Sequence, residues 1–129
     1  MPIAHFTLAT SDLRRARDFF AGAFGWTPIE RPSNVAHPTA WLEIAPGQEI
    51  HLVEVPDFKP SDFEREYGRH IAVFHPRGDF PALKERLIER GAELKAPLRE
   101  TTFERFFFRD PDGYFFEVIE ESARDRTRD

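Results

Sequence analysis

The sequence predicts an α+β fold made of two tandem βαβββ modules, and three observations carry that prediction. Elements of the same type recur in the same order in each half. Four polar residues on the first and last strands correspond in pairs, His5 with His70 at an offset of 65 and His51 with Glu117 at an offset of 66. The glycines that punctuate the halves also correspond, Gly25 with Gly91 and Gly47 with Gly113, both at an offset of 66. Self-similarity at a fixed period marks an internal duplication and organises everything else.

Residues 4–10 alternate as a strand, with Phe6 and Leu8 on one face and His5, Thr7 and Ala9 on the other. Ser11 or Asp12 suits a helix cap. Leu13, Ala16, Phe19, Phe20, Ala23 and Phe24 follow at helical spacing, and Gly25 suits the stop. Short strands are expected over 27–31, 40–44 and 49–55, the last two joined by the turn Ala45-Pro46-Gly47-Gln48. Pro56 and Pro60 mark a linker at 57–68, with a short helix expected around 61–67. The pattern then restarts. A strand is expected at 70–75, and Asp79 is placed to cap a helix over 80–90 that tolerates Pro81 in its first turn and stops at Gly91. A short strand near Glu93 and a hairpin, 103–109 and 114–120 around Asp110-Pro111-Asp112-Gly113, complete the second half. The organisation read from this is one domain, 1–121, with module one at 1–56, the linker at 57–68 and module two at 69–121. Residues 122–129 read as a charged C-terminal tail.

Bulk properties exclude several function classes. A chain of 129 residues with 40% hydrophobic residues and 14 Phe has enough apolar surface for a packed core. Its net charge of -5, without a basic stripe, lacks the footprint of a nucleic-acid binder. With no cysteine there is no disulfide, thiolate metal site or cysteine nucleophile. No basic segment followed by an apolar one opens the chain, and no apolar run approaches the roughly 20 residues of a membrane span. A cytoplasmic location without nucleic-acid or membrane partners is therefore expected.

The four duplicated polar positions carry the chemistry. Strand parity separates His51 from Ile50 and Leu52, and Glu117 from Phe116 and Val118. If the apolar neighbours pack under the helices, His5, His51, His70 and Glu117 face the opposite side of the sheet. A buried carboxylate needs a partner, and three imidazoles with one carboxylate are a common ligand set for Zn, Fe, Ni or Mn. Any one histidine alone reads as a half-buried structural residue; their pairing by the repeat is what points to a metal. His37, in a loop beside Pro38, and His75, of opposite parity to His70, stay outside the set. Trp26 and Trp41 read as core or wall residues.

The chain also resembles a known family. His5-Phe6-Thr7-Leu8-Ala9-Thr10-Ser11-Asp12-Leu13, Asp18-Phe19-Phe20, Phe24-Gly25-Trp26, Gly68-Arg69-His70-Ile71-Ala72, Phe107-Phe108-Arg109-Asp110-Pro111-Asp112-Gly113-Tyr114 and Phe116-Glu117-Val118-Ile119-Glu120 resemble the glyoxalase, bleomycin-resistance and extradiol-dioxygenase proteins, the vicinal-oxygen-chelate superfamily. The resemblance spans residues 3–120. It implies a curved mixed sheet around a metal-centred cleft, with His5, His51, His70 and Glu117 as ligands. It also implies a homodimer whose cleft can combine ligands from two chains, and a small-molecule substrate chelated through vicinal oxygens while the metal stabilises an oxyanion or enediolate.

On that resemblance the chain is expected to be a metal-dependent lyase or isomerase, with Glu117 as catalytic base and His51 as a weaker one. His51 stands where the glyoxalase I members compared have Glu, which argues against lactoylglutathione lyase activity itself. If His51 stays out, His5, His70 and Glu117 form a 2-His-1-carboxylate triad and extradiol-type dioxygenase chemistry becomes the alternative. A fosfomycin-type thiol transferase is a further enzyme option, and a metal-free antibiotic-binding protein is the non-enzymatic one. In the fosfomycin-modifying relatives the positions matching Arg105 and Phe107 point at substrate, so Arg105 is a candidate for meeting an anion. Otherwise it is a surface residue paired with Glu104 or Glu100.

Overall fold

The computed structural model describes residues 3–125 and divides the chain into two compact units, residues 1–58 and 59–129. Each unit is a four-stranded mixed sheet with one helix against one face. The first contains β1 (His5–Thr10), α1 (Leu13–Phe24), β2 (Thr27–Ile29), β3 (Thr39–Ala45) and β4 (Gln48–Glu54), in sheet order β1-β4-β3-β2. The second contains β5 (Ile71–His75), α2 (Phe80–Glu89), β6 (Glu93–Lys95), β7 (Arg105–Arg109) and β8 (Phe115–Glu120), in order β5-β8-β7-β6. The α+β reading with two βαβββ modules is therefore what the chain forms.

In each unit the first strand pairs in parallel with the last, and the last pairs antiparallel with the strand before it. The duplication extends to single rungs. Thr7 lies opposite His51 where Ala72 lies opposite Glu117, and Trp41 lies opposite His51 where Phe107 lies opposite Glu117. Period-2 alternation sends Ile50 and Leu52 to the helix side of the first sheet, where they are buried with Leu8, Leu42 and Ala16, Phe19, Phe20 and Ala23 of α1. In the second unit Phe106, Phe108, Phe116 and Val118 are buried with Phe80, Leu83 and Leu87 of α2. Each such Phe or Leu contributes roughly 1.5–3 kcal/mol of burial.

Helix α1 begins as expected. Asp12 is extended and its carboxylate accepts the Arg15 backbone N–H at 3.0 Å. Helix α2 does not. A 3-10 turn, Arg77–Asp79, leads into it, so Asp79 is already in the right-handed region and its side chain caps nothing. The Asp79 carboxylate instead accepts from His75 Nε2 at 2.7 Å and from Arg86 Nη2 at 2.6 Å. His75 thus faces α2, as its parity requires.

The segment read as a linker is tied down and contains no helix. The Ser61 hydroxyl accepts the Phe63 N–H, Arg69 N–H donates to the Phe63 carbonyl, and Glu64 is buried. The Glu64 carboxylate accepts the Phe115 N–H at 2.7 Å and Arg69 Nη1 at 2.8 Å. Those tertiary bonds take the place of helical ones. Of the residues read as a tail, 122–125 fall in a second 3-10 helix, Glu121–Asp125, and the Arg124 guanidinium lies 4.9 Å from the Phe74 ring centroid. Residues 126–129 lie outside the described residues. No helix among those described is long and apolar enough to cross a membrane.

Two expectations follow. At Gly68 an added Cβ would collide with the Phe63 carbonyl oxygen, which is backbone and cannot swing away. Gly68→Ala should cost about 1–3 kcal/mol in urea unfolding; an unchanged midpoint would contradict the close approach. Burial pushes the Asp110 carboxyl, in the hairpin turn, up to about 7, with Asp112 adding to the rise and the Tyr114 and Asp112 N–H groups opposing it. A raised carboxyl favours its protonated form in the native state. Its stabilising contribution is therefore complete below the ordinary value of 3.8 and is lost as pH rises through about 7. The urea midpoint should fall between pH 4.5 and 7.5 less steeply in Asp110→Asn than in the parent protein; identical slopes would remove this group from the pH dependence.

Candidate functional site

The parallel pairing of first and last strands positions the polar residues. In the first unit His5 lies opposite Glu49 and Thr7 opposite His51, so His5 and His51 are diagonal neighbours on one sheet face. In the second unit His70 immediately precedes β5 rather than starting it, and it stands to Glu117 as His5 stands to His51. The same diagonal relation gives two different contacts.

In the first unit it gives a stack. The His5 and His51 rings lie 4.0 Å apart and 14° from parallel, and the cross-strand partner Trp41 stacks on His51 at 3.9 Å and 3°. His51 Nε2 is bound to Glu49 Oε1 at 2.8 Å. A metal lies in the plane of an imidazole that binds it, about 2.0–2.1 Å from the nitrogen. Two nearly parallel rings stacked face to face have no common in-plane point, so this pose does not suit His5 and His51 to one ion. The His51 ring faces are covered by Trp41 and His5, and its Nε2 is held by Glu49.

In the second unit the relation gives a donor pair. His70 Nε2 stands 3.2 Å from Glu117 Oε1. That is long for a charge-assisted hydrogen bond, which runs about 2.7–2.9 Å. It matches the separation of about 3.0–3.4 Å between adjacent ligand atoms held about 2.1 Å from one ion at octahedral or tetrahedral angles. His70 Nδ1 is buried with no hydrogen-bond partner among the described residues. The pair's spacing, donor types and burial fit a divalent cation. The four sequence-nominated residues thus come together in twos, and among the described residues no group of three or more His, Asp or Glu is gathered to hold a metal.

The other nominated residues are placed differently from expectation. Phe107 is fully buried against His70, edge to face at 5.5 Å, and against Phe115, so it offers no surface to a substrate. Arg105 is also buried. Its Nη1 donates to Glu117 Oε2 at 3.0 Å and its Nη2 to Glu66 Oε2 at 3.1 Å, rather than to Glu104 or Glu100. Glu117 Oε2 is thus held by Arg105, while Oε1 faces His70 Nε2.

Sequence reasoning missed Glu66, Glu64 and the role of Trp41 as a cover for His51. Glu64 and Glu66 sit in a segment without periodicity, and nothing local marks them as buried. Also missed was an open cavity of about 360 Å³ in the first unit, lined by Arg17, Ile29, Arg31, Thr39, Ala40 and Trp41 among others. The Thr39 hydroxyl is buried without a partner among the described residues.

This duplicated βαβββ architecture defines a class. The chain belongs to the Glyoxalase/Bleomycin resistance protein/Dioxygenase superfamily, whose sequence model matches residues 2–118. It is similar to a metallothiol transferase, FosB, of Shouchella clausii (strain KSM-K16), with 30% identity over 119 residues that cover 90% of this chain and 77% of the relative. It is also similar to a fosfomycin resistance protein, FosX, of Listeria monocytogenes. There the TM-score is 0.73 at 27% identity, covering 92% of this chain and 89% of the other. A mutant of that FosX solved with Mn(II) and 1S,2S-dihydroxypropylphosphonic acid superposes with a TM-score of 0.71 at 26% identity, over 92% of this chain and 88% of the other.

Proposed function

We propose that the chain is a divalent-metal-dependent enzyme of the fosfomycin-modifying kind, adding a thiol or water to a small, oxygen-rich anionic substrate. The observation that carries this reading is the part-buried pair His70 Nε2 and Glu117 Oε1, 3.2 Å apart, with the donor types and spacing of two ligands of one ion. In this reading His70 and Glu117 are ligands of the ion. His51 stays outside the set, covered by Trp41 and held by Glu49. A bound divalent ion would supply Lewis-acid polarisation of a substrate oxygen.

The remaining residues favour addition over proton shuttling. A lyase or isomerase needs a base that removes a carbon-bound proton, and Glu117 is already engaged at both oxygens. Addition of a thiol or water to a polarised carbon–oxygen bond forms the new carbon–sulfur or carbon–oxygen bond as the old one breaks, and the nucleophile's proton ends on the released oxygen, so no carbon-bound proton has to be removed. The relatives named a metallothiol transferase and a fosfomycin resistance protein support the same substrate class. A second reading keeps the same pair, since histidine and carboxylate ligands also suit Fe(II) and oxygenation.

Metal titration separates ligands from bystanders. Protein stripped and titrated with Mn(II) should bind it tightly. Glu117→Ala and His70→Ala should each lose more than the roughly 10–100-fold that removal of an outer partner costs. His51→Ala should keep the parent stoichiometry; loss equal to that of Glu117→Ala would return His51 to the ligand set. Activity is tested by phosphorus NMR of fosfomycin incubated with the Mn(II)-loaded protein, with cysteine and without it. Epoxide opening to a thiol adduct or a diol is expected. An unchanged substrate under both conditions, with Mn(II) bound, would refute this substrate class, and oxygen uptake by the Fe(II)-loaded protein with a catechol would move the assignment to the oxygenases.

A further inference from the structure

Arg105 has no surface left for a substrate. Its side chain is 4% exposed, and its guanidinium is committed to protein groups on three segments. Nη1 donates to Glu117 Oε2 at 3.0 Å, and Nη2 donates to Glu66 Oε2 at 3.1 Å and to the Arg99 carbonyl at 2.6 Å. The cation also lies 5.2 Å from the Phe107 ring centroid. Glu66 is itself fixed, its side chain 6% exposed and accepting the Leu98 N–H at 2.7 Å and the Arg99 N–H at 3.1 Å. Burial alone would raise the Glu66 carboxyl, but those two N–H groups and Arg105 outweigh it and hold the group below the ordinary glutamate range.

A carboxylate in this setting has two oxygens with different tasks. With Oε2 held by a guanidinium that Glu66 and the Arg99 carbonyl also bind, Glu117 presents Oε1 to the side where His70 Nε2 stands. An unheld carboxylate could rotate, or turn both oxygens to a cation. We propose that Arg105 is the positioning residue of the candidate metal centre. It occupies Glu117 Oε2 so that Oε1 binds as a single-oxygen ligand beside His70, and Glu66 with the 98–99 backbone keeps Arg105 in that pose. This inference rests on the metal-site reading above.

The sign of the effect distinguishes positioning from charge. A guanidinium near a dication repels it, so neutralising Arg105 would tighten cation binding if charge were its only influence. Positioning demands the reverse. Outer partners that orient a ligand typically contribute 10–100-fold to affinity.

Mn(II) affinity of the full chain, read by calorimetry and by the Mn(II) resonance spectrum, tests this beside the thermal unfolding of the metal-free protein. Arg105→Gln should weaken Mn(II) binding by about 10–100-fold. Arg105→Lys should weaken it too, because an ammonium keeps the charge but cannot bridge Glu117, Glu66 and the Arg99 carbonyl together. Glu66→Gln, which leaves both Arg105 and Glu117 in place, should weaken it several-fold, and it carries the test if the Arg105 variants fail to fold. Unchanged or tighter Mn(II) binding in the folded variants, with only the unfolding temperature lowered, would make Arg105 a structural residue and overturn the inference while the metal site stands. Absence of Mn(II) binding by the parent protein at millimolar metal would overturn the site, and the inference with it.

Discussion

The parallel pairing of the first and last strands within each module is the constraint on which the site depends. It aligns β1 with β4 and β5 with β8 so that two duplicated positions become diagonal neighbours on one sheet face. Whatever residues stand there must meet. Two imidazoles in the first unit meet as stacked rings, at 4.0 Å between His5 and His51. An imidazole and a carboxylate in the second meet nitrogen to oxygen, at 3.2 Å between His70 and Glu117. One backbone device thus yields a stack in one copy and a ligand-like pair in the other, because the side chains differ.

Burying Glu117 is costly, and the surrounding residues offset that cost. Glu117 is 8% exposed between strand neighbours that are fully buried. An isolated acid in such a place would be strongly destabilising. Arg105 bridges it to Glu66, and Glu66 is anchored to the backbone at Leu98 and Arg99. The cluster nevertheless holds two acidic side chains against one guanidinium, with a buried His70 nitrogen left over. Arg105 Nε, too, is buried without a hydrogen-bond partner among the described residues.

The superfamily fold alone does not decide a reaction, since one scaffold hosts many. The decision rests on which groups stay available. Glu117 and His51 were the candidate bases, and each is occupied, Glu117 by His70 and Arg105 and His51 by Glu49 under a Trp41 cover. That availability is the ground of the proposal that the protein binds and polarises its substrate rather than moving protons between carbons.

The fold was legible in the sequence because local signals agreed with one another. Period-2 and period-3.6 patterns, the Asp12 cap and the Asp-Pro-Asp-Gly turn act within a few residues, and the offset of 66 links the halves without any structure. The same register identified which polar residues share a face. Their contacts, however, were decided only in three dimensions. That His51 lies under Trp41 depends on a cross-strand rung, and that Arg105 reaches Glu66 depends on a segment whose sequence has no period at all. Sequence spacing determines on which side of a strand a residue lies. Which partner then takes its hydrogen bonds is settled by neighbours distant along the chain, and only their packing brings those neighbours within reach.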